Sequence, residues 1–311
     1  MESEIREQPS RLLKNADGYL ATATKAFGDK TFDLAVLAAR GSSDNAALYA
    51  RYLIEIHLGI PVVLAAPSVF TRYDAKVRYP KSLVIGISQS GAAPDVAEVL
   101  SVLGEQGLTT LAITNTAGSR LQATAHHTLL LNVGTERSVA ATKTYTASLL
   151  ALYQVVRALG GRLPDPKSGL ADDIWLDRCD TAAVHAAGQL SGVGSVFTLA
   201  RGYSYATAME TALKLMECAL VPAKAFSWAD FQHGPTALAV KGSAAITYGV
   251  VGEGLAKRGC RVLRSPSADC PEELAPINEI VYGQFLALHA ARAAGLDPDT
   301  PPNLRKVTET T

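Results

Sequence analysis

The chain has 311 residues, 48% hydrophobic and 19% charged, which gives ample material for a core and a length suited to two domains or one large duplicated one. Its 29 Lys and Arg balance 29 Asp and Glu. That balance excludes a summed positive field for nucleic acid or an anionic membrane, so any anion must be held locally.

Short apolar runs alternate with longer segments of helical period, the pattern of a parallel sheet covered by helices. The spacing predicts strands at 33–40, 61–66, 82–87, 109–114 and 127–132. Between them, 45–57 carries Ala46, Leu48, Tyr49, Tyr52, Leu53 and Ile56 as a helical stripe, and 94–107 opens on Pro94 and Asp95 and stops at Gly107. A further helix at 142–160 closes this half, Gly and Pro gather at 160–169 as a linker, and a helix follows near 170–190. The pattern then restarts. LAARGSSDNA (37–46) and TLARGYSYAT (198–207) share a strand, Arg-Gly and a Ser two residues later, at an offset of 161 residues from Arg40 to Arg201, which suggests an internal duplication. Between the predicted strands 243–251 and 260–265 only GEGLAKRG (252–259) remains, so either this half is trimmed or the sequence lacks residues there.

Cys179, Cys218, Cys260 and Cys270 lie far apart with no C-x-x-C spacing, against a zinc cage or a disulfide framework and in keeping with a reducing cytoplasm. The stretch MESEIREQPS is polar and acidic, and no run reaches the length of about 18 apolar residues that a membrane span needs. A cytoplasmic protein with neither signal peptide nor transmembrane helix is expected. The histidines show no ligand spacing, so no metal is implied.

In open parallel sheets ligands bind beyond the carboxyl ends of the strands, where loops lead into helices. GSSDN (41–45) and SQSG (88–91) occupy two such places. Helix-start N–H groups and flanking hydroxyls can hold a phosphate, with Gly91 letting the chain turn close to it; alternatively the serines merely cap the helix near Pro94. Neither loop has a nucleotide-binding glycine pattern, which leaves a small phosphorylated metabolite. In NVGTERSVAATKTYT (132–146), Glu136 and Lys143 could pair and fix the loop. The helix 204–220 carries Met209, Leu213, Met216 and Leu220 on one stripe and Glu210, Lys214 and Glu217 on another, which spacing alone reads as a solvated charged face. His233 stands in the turn of SWADFQHGPTAL (227–238), either structural or part of an acid–base site, and Lys306 lies in a terminal tail whose composition reads as frayed.

In order along the chain, RGSSDNA, SQSG, GTERSVAATKTYT, ALKLMEC, FQHGP and LRKVT resemble the sugar isomerase (SIS) family, and more closely the isomerase half of the glutamine–fructose-6-phosphate aminotransferases. This resemblance implies an α/β fold of two tandem doubly wound parallel-sheet (flavodoxin-like) domains, each a three-layer α/β/α sandwich. The first would span 1–160 with an N-terminal helix and the second 170–297, with a tail at 298–311 closing over the active site. By the same resemblance Ser42, Ser43, Ser88, Gln89, Ser90 and Val139 would hold the phosphate and sugar hydroxyls. Glu217 would be the base moving a proton between C1 and C2, His233 would open the sugar ring, and Lys306 would close over the open chain. A homodimer with His233 supplied by the neighbouring subunit is implied, without metal or other cofactor.

Several residues depart from the synthase pattern. AAPD (92–95) replaces its Glu-x-Thr, and the SQSGxxPD form resembles stand-alone glucosamine-6-phosphate deaminases; Ala93, Ala141 and Met216 stand where the synthase has Thr, Ser and Lys. With no glutaminase domain or N-terminal Cys, the chain is not expected to make ammonia from glutamine. The expected activity is conversion of glucosamine-6-phosphate to fructose-6-phosphate and ammonia. The alternatives are a fructosamine-6-phosphate deglycase, another sugar-phosphate isomerase, or a non-catalytic sugar-phosphate sensor.

Overall fold

Leucine- and β-branched runs buried on both faces form the inner strands, as parallel sheets require. The computed structural model describes residues 1–250, 252 and 254–306. Val251 in the predicted strand 243–251, Glu253 in the short stretch 252–259 and residues 307–311 of the predicted tail lie outside the described residues. The first elements are α1 (Glu2–Arg6), α2 (Gln8–Phe27), β1 (Leu34–Ala38), α3 (Ser42–Leu58), β2 (Val62–Leu64) and α4 (Pro67–Thr71). They continue with β3 (Ser82–Ile87), α5 (Pro94–Glu105), β4 (Thr109–Thr114), α6 (Arg120–Thr124), β5 (His127–Leu130) and α7 (Lys143–Ala158). After the linker come α8 (Asp173–Gln189), β6 (Ser195–Ala200), α9 (Tyr205–Ala219), β7 (Ala223–Ser227), α10 (Trp228–Gln232), β8 (Ser243–Thr247), β9 (Arg261–Arg264) and α11 (Ala275–Ala293).

The chain divides into two compact units. One holds Ser10–Thr135 and Lys143–Lys167; the other holds Met1–Pro9, Glu136–Thr142 and Ser168–Lys306. Two segments from the first 160 residues, Met1–Pro9 and Glu136–Thr142, thus fall in the unit of the later residues.

The first unit carries a five-stranded parallel sheet in the order β2-β1-β3-β4-β5, the flavodoxin-like order whose switch point lies at β1 and β3. Leu34, Val36, Ala38, Val84 and Ala112 pack with residues of α4, α5 and α6, such as Phe70, Leu100 and Leu121. The alternate residues Ala35, Leu37, Ile85 and Ile113 are buried as well, and α3 lies against β1, β3 and α7. The edge strands β2 and β5 are mostly half-buried.

The other unit carries a four-stranded parallel sheet, β7-β6-β8-β9. Its register repeats the first: Leu34 pairs Ser82 and Ala35 pairs Val62, while Ser195 pairs Ser243 and Val196 pairs Ala223, each partner 161 positions on. The duplication suggested by one short match therefore extends through three strands and their pairing. It ends at the fourth, because Thr109 opens β4 and Arg261 opens β9, an offset of 152 residues. Where a helix separates β3 from β4, the described residues of this connection hold one 3-10 turn at Ala256–Arg258. On one face Val196, Ala200, Ala244, Ile246 and Leu263 pack with residues of α8, α9 and α11. The other face, where a full helical layer is expected, carries the short α10 and a cluster of Phe197, Phe231, Ala239 and Leu255. Phe197 and Phe231 stand 5.2 Å apart, so aromatic area substitutes for the missing helix. Among the described residues no helix is long and apolar enough to cross a membrane.

Gly91 is fixed by space and conformation together. Its φ is 63°, and a Cβ there would stand 2.2 Å from Ser119 Oγ. Gly91→Ala is expected to destabilise by about 2–4 kcal/mol, combining left-handed strain with overpacking, as read by urea unfolding of the variant against the parent.

Candidate active site

In the first unit the two hydroxyl-rich stretches stand at the switch-point junctions. Gly41, with φ 57°, turns the chain from β1 into α3, whose first residues are Ser42 and Ser43, both half-buried; no side chain caps this helix at Gly41. After β3, the Ser88 amide continues the ladder to the Ile113 carbonyl at 3.0 Å, and the Ser88 hydroxyl accepts from Gly91 N–H at 3.2 Å. Ser90 Oγ accepts from Ala92 N–H at 3.2 Å. The Gln89 carbonyl accepts from Asn115 N–H at 3.0 Å and from Thr114 Oγ1 at 3.3 Å, which fixes the backbone at that position.

The N-cap of α5 is Ala93, with no side-chain cap bond. Ser88 and Ser90 therefore brace their own turn rather than cap the helix. A hydroxyl that accepts in this way still has a proton to give.

In the other unit α9 reverses the expected polarity. Met216 and Leu220 of the apolar stripe are 43% and 54% exposed, whereas Glu210 and Lys214 are 0% exposed. The charged row is not a solvated face. Ala208, Ala212 and Ala219 on the opposite face are buried too, so α9 is enclosed on both sides, and a cation between two anions can be buried where either alone could not. Lys214 Nζ stands 3.4 Å from Glu210 Oε1 and donates a short hydrogen bond to Glu217 Oε2. Burial pulls the Lys214 ammonium down, but the charges of Glu210 and Glu217 outweigh it and its pKa is raised. Glu217 is half-buried, reaching solvent from the end of the buried row. Burial pushes the neighbouring Cys218 thiol up to about 12, against the opposing charge of Lys214, so this cysteine stays protonated.

Two buried carboxylates and the tail hold the loop 136–142. Glu136 Oε1 accepts from Thr142 N–H at 2.9 Å, and its Oε2 accepts from Lys306 Nζ at 2.8 Å. Lys306 also donates to the Ser138 carbonyl at 2.7 Å, so this lysine is tied down rather than frayed. Glu4, itself buried, accepts from Arg137 N–H and from Ser138 N–H. Val139 N–H bonds the Asp299 carbonyl at 3.0 Å, and the residue is half-buried. His233 is exposed at the carboxyl end of α10. Among the described residues no hydrogen bond or ion pair joins Glu217, His233 and Lys306 to one another.

The junction of the second sheet has diverged. Gly202, with φ 62°, again leads from the first inner strand into a helix. There the Ser204 hydroxyl bonds Glu279, a buried carboxyl that burial pushes up and that bond opposes. Here the serine hydroxyl is bonded to a carboxyl from α11, whereas in the first unit Ser88 and Ser90 accept from backbone N–H groups of their own turn.

Sequence reading passed over Arg40 and Asp95. Arg40 Nε donates to Asp95 Oδ2 at 2.6 Å and joins the two junctions of the first unit, while Asp95 Oδ1 accepts from Val96 N–H at 2.9 Å. The Arg immediately before GSS and the Asp just inside the next helix were the available signal.

Residues 34–158 match the SIS domain. The chain is 31% identical, over 98% of its length, to a glutamine–fructose-6-phosphate aminotransferase (isomerizing) from Methanothermobacter thermautotrophicus, of which it covers 56%. The chain spans little more than half the length of the curated relatives it matches. Its fold is that of the C-terminal domain of glucosamine-fructose-6-phosphate aminotransferase from Francisella tularensis, with a TM-score of 0.80, 24% identity and 97% of each chain covered. A glucosamine-6-phosphate deaminase from Thermotoga maritima has the same fold, with a TM-score of 0.84, 23% identity and 99% of each chain covered.

Proposed function

We propose that this chain, which carries an SIS domain at residues 34–158, is a sugar-phosphate isomerase that deaminates glucosamine-6-phosphate to fructose-6-phosphate and ammonia. The observation that carries the reading is the α9 row, where a fully buried Lys214 fixes the Glu217 carboxylate at the edge of the core. A carboxylate held in that way suits repeated proton transfer at carbon. Relatives of the aminotransferase type, about one third identical, support the sugar-phosphate class.

In this reading Ser42, Ser43, Ser88, Gln89 and Ser90 hold the phosphoryl group and sugar hydroxyls through uncharged donors, with Val139 contributing from its loop. His233 moves the proton that opens the ring. Glu217 takes the proton from C2, next to the aldehyde, and returns it at C1, while a proton passes from the C2 amine to O1, so that the aldehyde becomes a hydroxymethyl group and the C2 amine an imine. Water adds at C2 and ammonia leaves, so one water is consumed for each ammonia released. Lys306 covers the open chain. We further propose a cytoplasmic homodimer in which the exposed His233 serves the neighbouring copy, and a tail at 298–311 that closes over the substrate.

The test is ammonium release from glucosamine-6-phosphate with stoichiometric fructose-6-phosphate. Faster release from glycated amino-acid phosphates would make the protein a deglycase. Aldose–ketose interconversion without ammonium would leave an isomerase alone. Binding of these sugar phosphates without turnover of any would make it a sensor.

A further inference from the structure

The phosphate reading leaves an electrostatic difficulty. Each helix start assigned to the phosphoryl group carries an acid in its first turn, Asp44 on α3 and Asp95 on α5. An acid there favours the helix but repels an incoming phosphate dianion. Between these starts lies Arg40, bonded to Asp95. Arg40 ends the strand-to-helix junction immediately before Gly41, its carbonyl accepts from Ser43 N–H at 3.1 Å, and its Nε donates to Asp95 at 2.6 Å. Asp95 is buried, whereas the Arg40 side chain is half exposed and keeps donors on its outer side. Asp44 is exposed as a residue, yet the protein around its carboxyl pushes it up and Arg40 opposes that shift, so the guanidinium acts on both carboxylates.

We propose that Arg40 is the positioning residue of the phosphate site, tying the β1–α3 and β3–α5 junctions together and offsetting Asp44 and Asp95 so that a phosphoryl dianion can enter. This inference rests on the reading that the two junctions hold the phosphoryl group. The tie fixes the spacing of the hydroxyls, and the charge lets uncharged donors suffice. Arg suits both tasks because its remaining donors stay charged while one bond is spent on Asp95.

The experiment is calorimetric binding of glucitol-6-phosphate and of unphosphorylated glucitol to the full chain, with thermal melts as the folding control. Arg40→Ala is expected to weaken the phosphorylated ligand about tenfold or more, with a larger loss at low salt and little change for glucitol. Arg40→Lys, which keeps the charge, should retain most of the affinity. Adding Asp44→Asn to Arg40→Ala should recover part of it, an effect that a merely structural role would not produce. In turnover assays the same loss should fall on KM rather than kcat. Unchanged Kd in Arg40→Ala, or equal loss for both ligands, overturns the inference while leaving the functional reading in place. A parent protein that binds no sugar phosphate overturns both. Should Arg40→Ala fail to fold, Arg40→Lys carries the test, and a loss there as large as tenfold rejects the charge role.

Discussion

Glu217→Gln lowers ammonium release by about 10²–10⁴-fold while the sugar phosphate still binds; this is the expected result if Glu217 moves the proton. The amide keeps a carbonyl oxygen for the Lys214 bond, so α9 retains its arrangement, but it cannot accept a proton from carbon. The second readout is isotopic. In heavy water the parent should incorporate deuterium at C1 of the ketose, and the variant should not. Turnover within tenfold of the parent would remove Glu217 from the role of base, and loss of binding together with turnover would make it a residue of the binding surface.

Lys214→Met is expected to be the most destabilising of these changes, by about 3–5 kcal/mol at neutral pH, because it leaves Glu210 and Glu217 without their shared cation. The pH dependence carries the diagnosis. In the parent, the raised pKa of Lys214 is a contribution fully present below the lysine's unfolded value and lost only as pH rises through the higher folded one, at strongly alkaline pH. In the variant, a buried carboxylate without a counter-charge binds its proton more tightly folded than unfolded, so stability rises as pH falls below neutral. Urea melts at pH 5 and pH 7.5 should therefore show the gap to the parent narrowing at the lower value. A deficit of about 1 kcal/mol or less at neutral pH would mean that the row behaves as an exposed ion pair.

The elements that could be read in sequence are those whose boundaries have local causes. β3 and β4 fall at 82–87 and 109–114 as predicted, bounded by turn residues and made of continuous apolar runs. α5 begins at Pro94 because proline suits the first helical position. The interior of α9 had no such signal, since Glu210, Lys214 and Glu217 have one spacing whether the row meets water or the protein interior. What decides between these states is packing with elements distant in sequence, such as α11, which α9 contacts. The site's ion pairs were hidden for the same reason. Arg40 and Asp95 are 55 residues apart, and Glu136 and Lys306 are 170 apart, so neither pair leaves a periodic trace. The serine turn was legible as a place and not as a role. Whether Ser88 and Ser90 capped α5 depended on where the helix began, and Ala93 takes that position.

The matched pairing of the two sheets has a consequence for how the halves could change. With strand partners conserved across the repeat, backbone alignment constrains the pleated scaffold, and chemical variation is left to the connecting tips. At one tip Ser88 and Ser90 bond backbone N–H groups of their own turn, while at its counterpart Ser204 bonds Glu279 of a distant helix. A duplicated architecture of this kind lets the two sets of tips differ in chemistry without disturbing the weave beneath them.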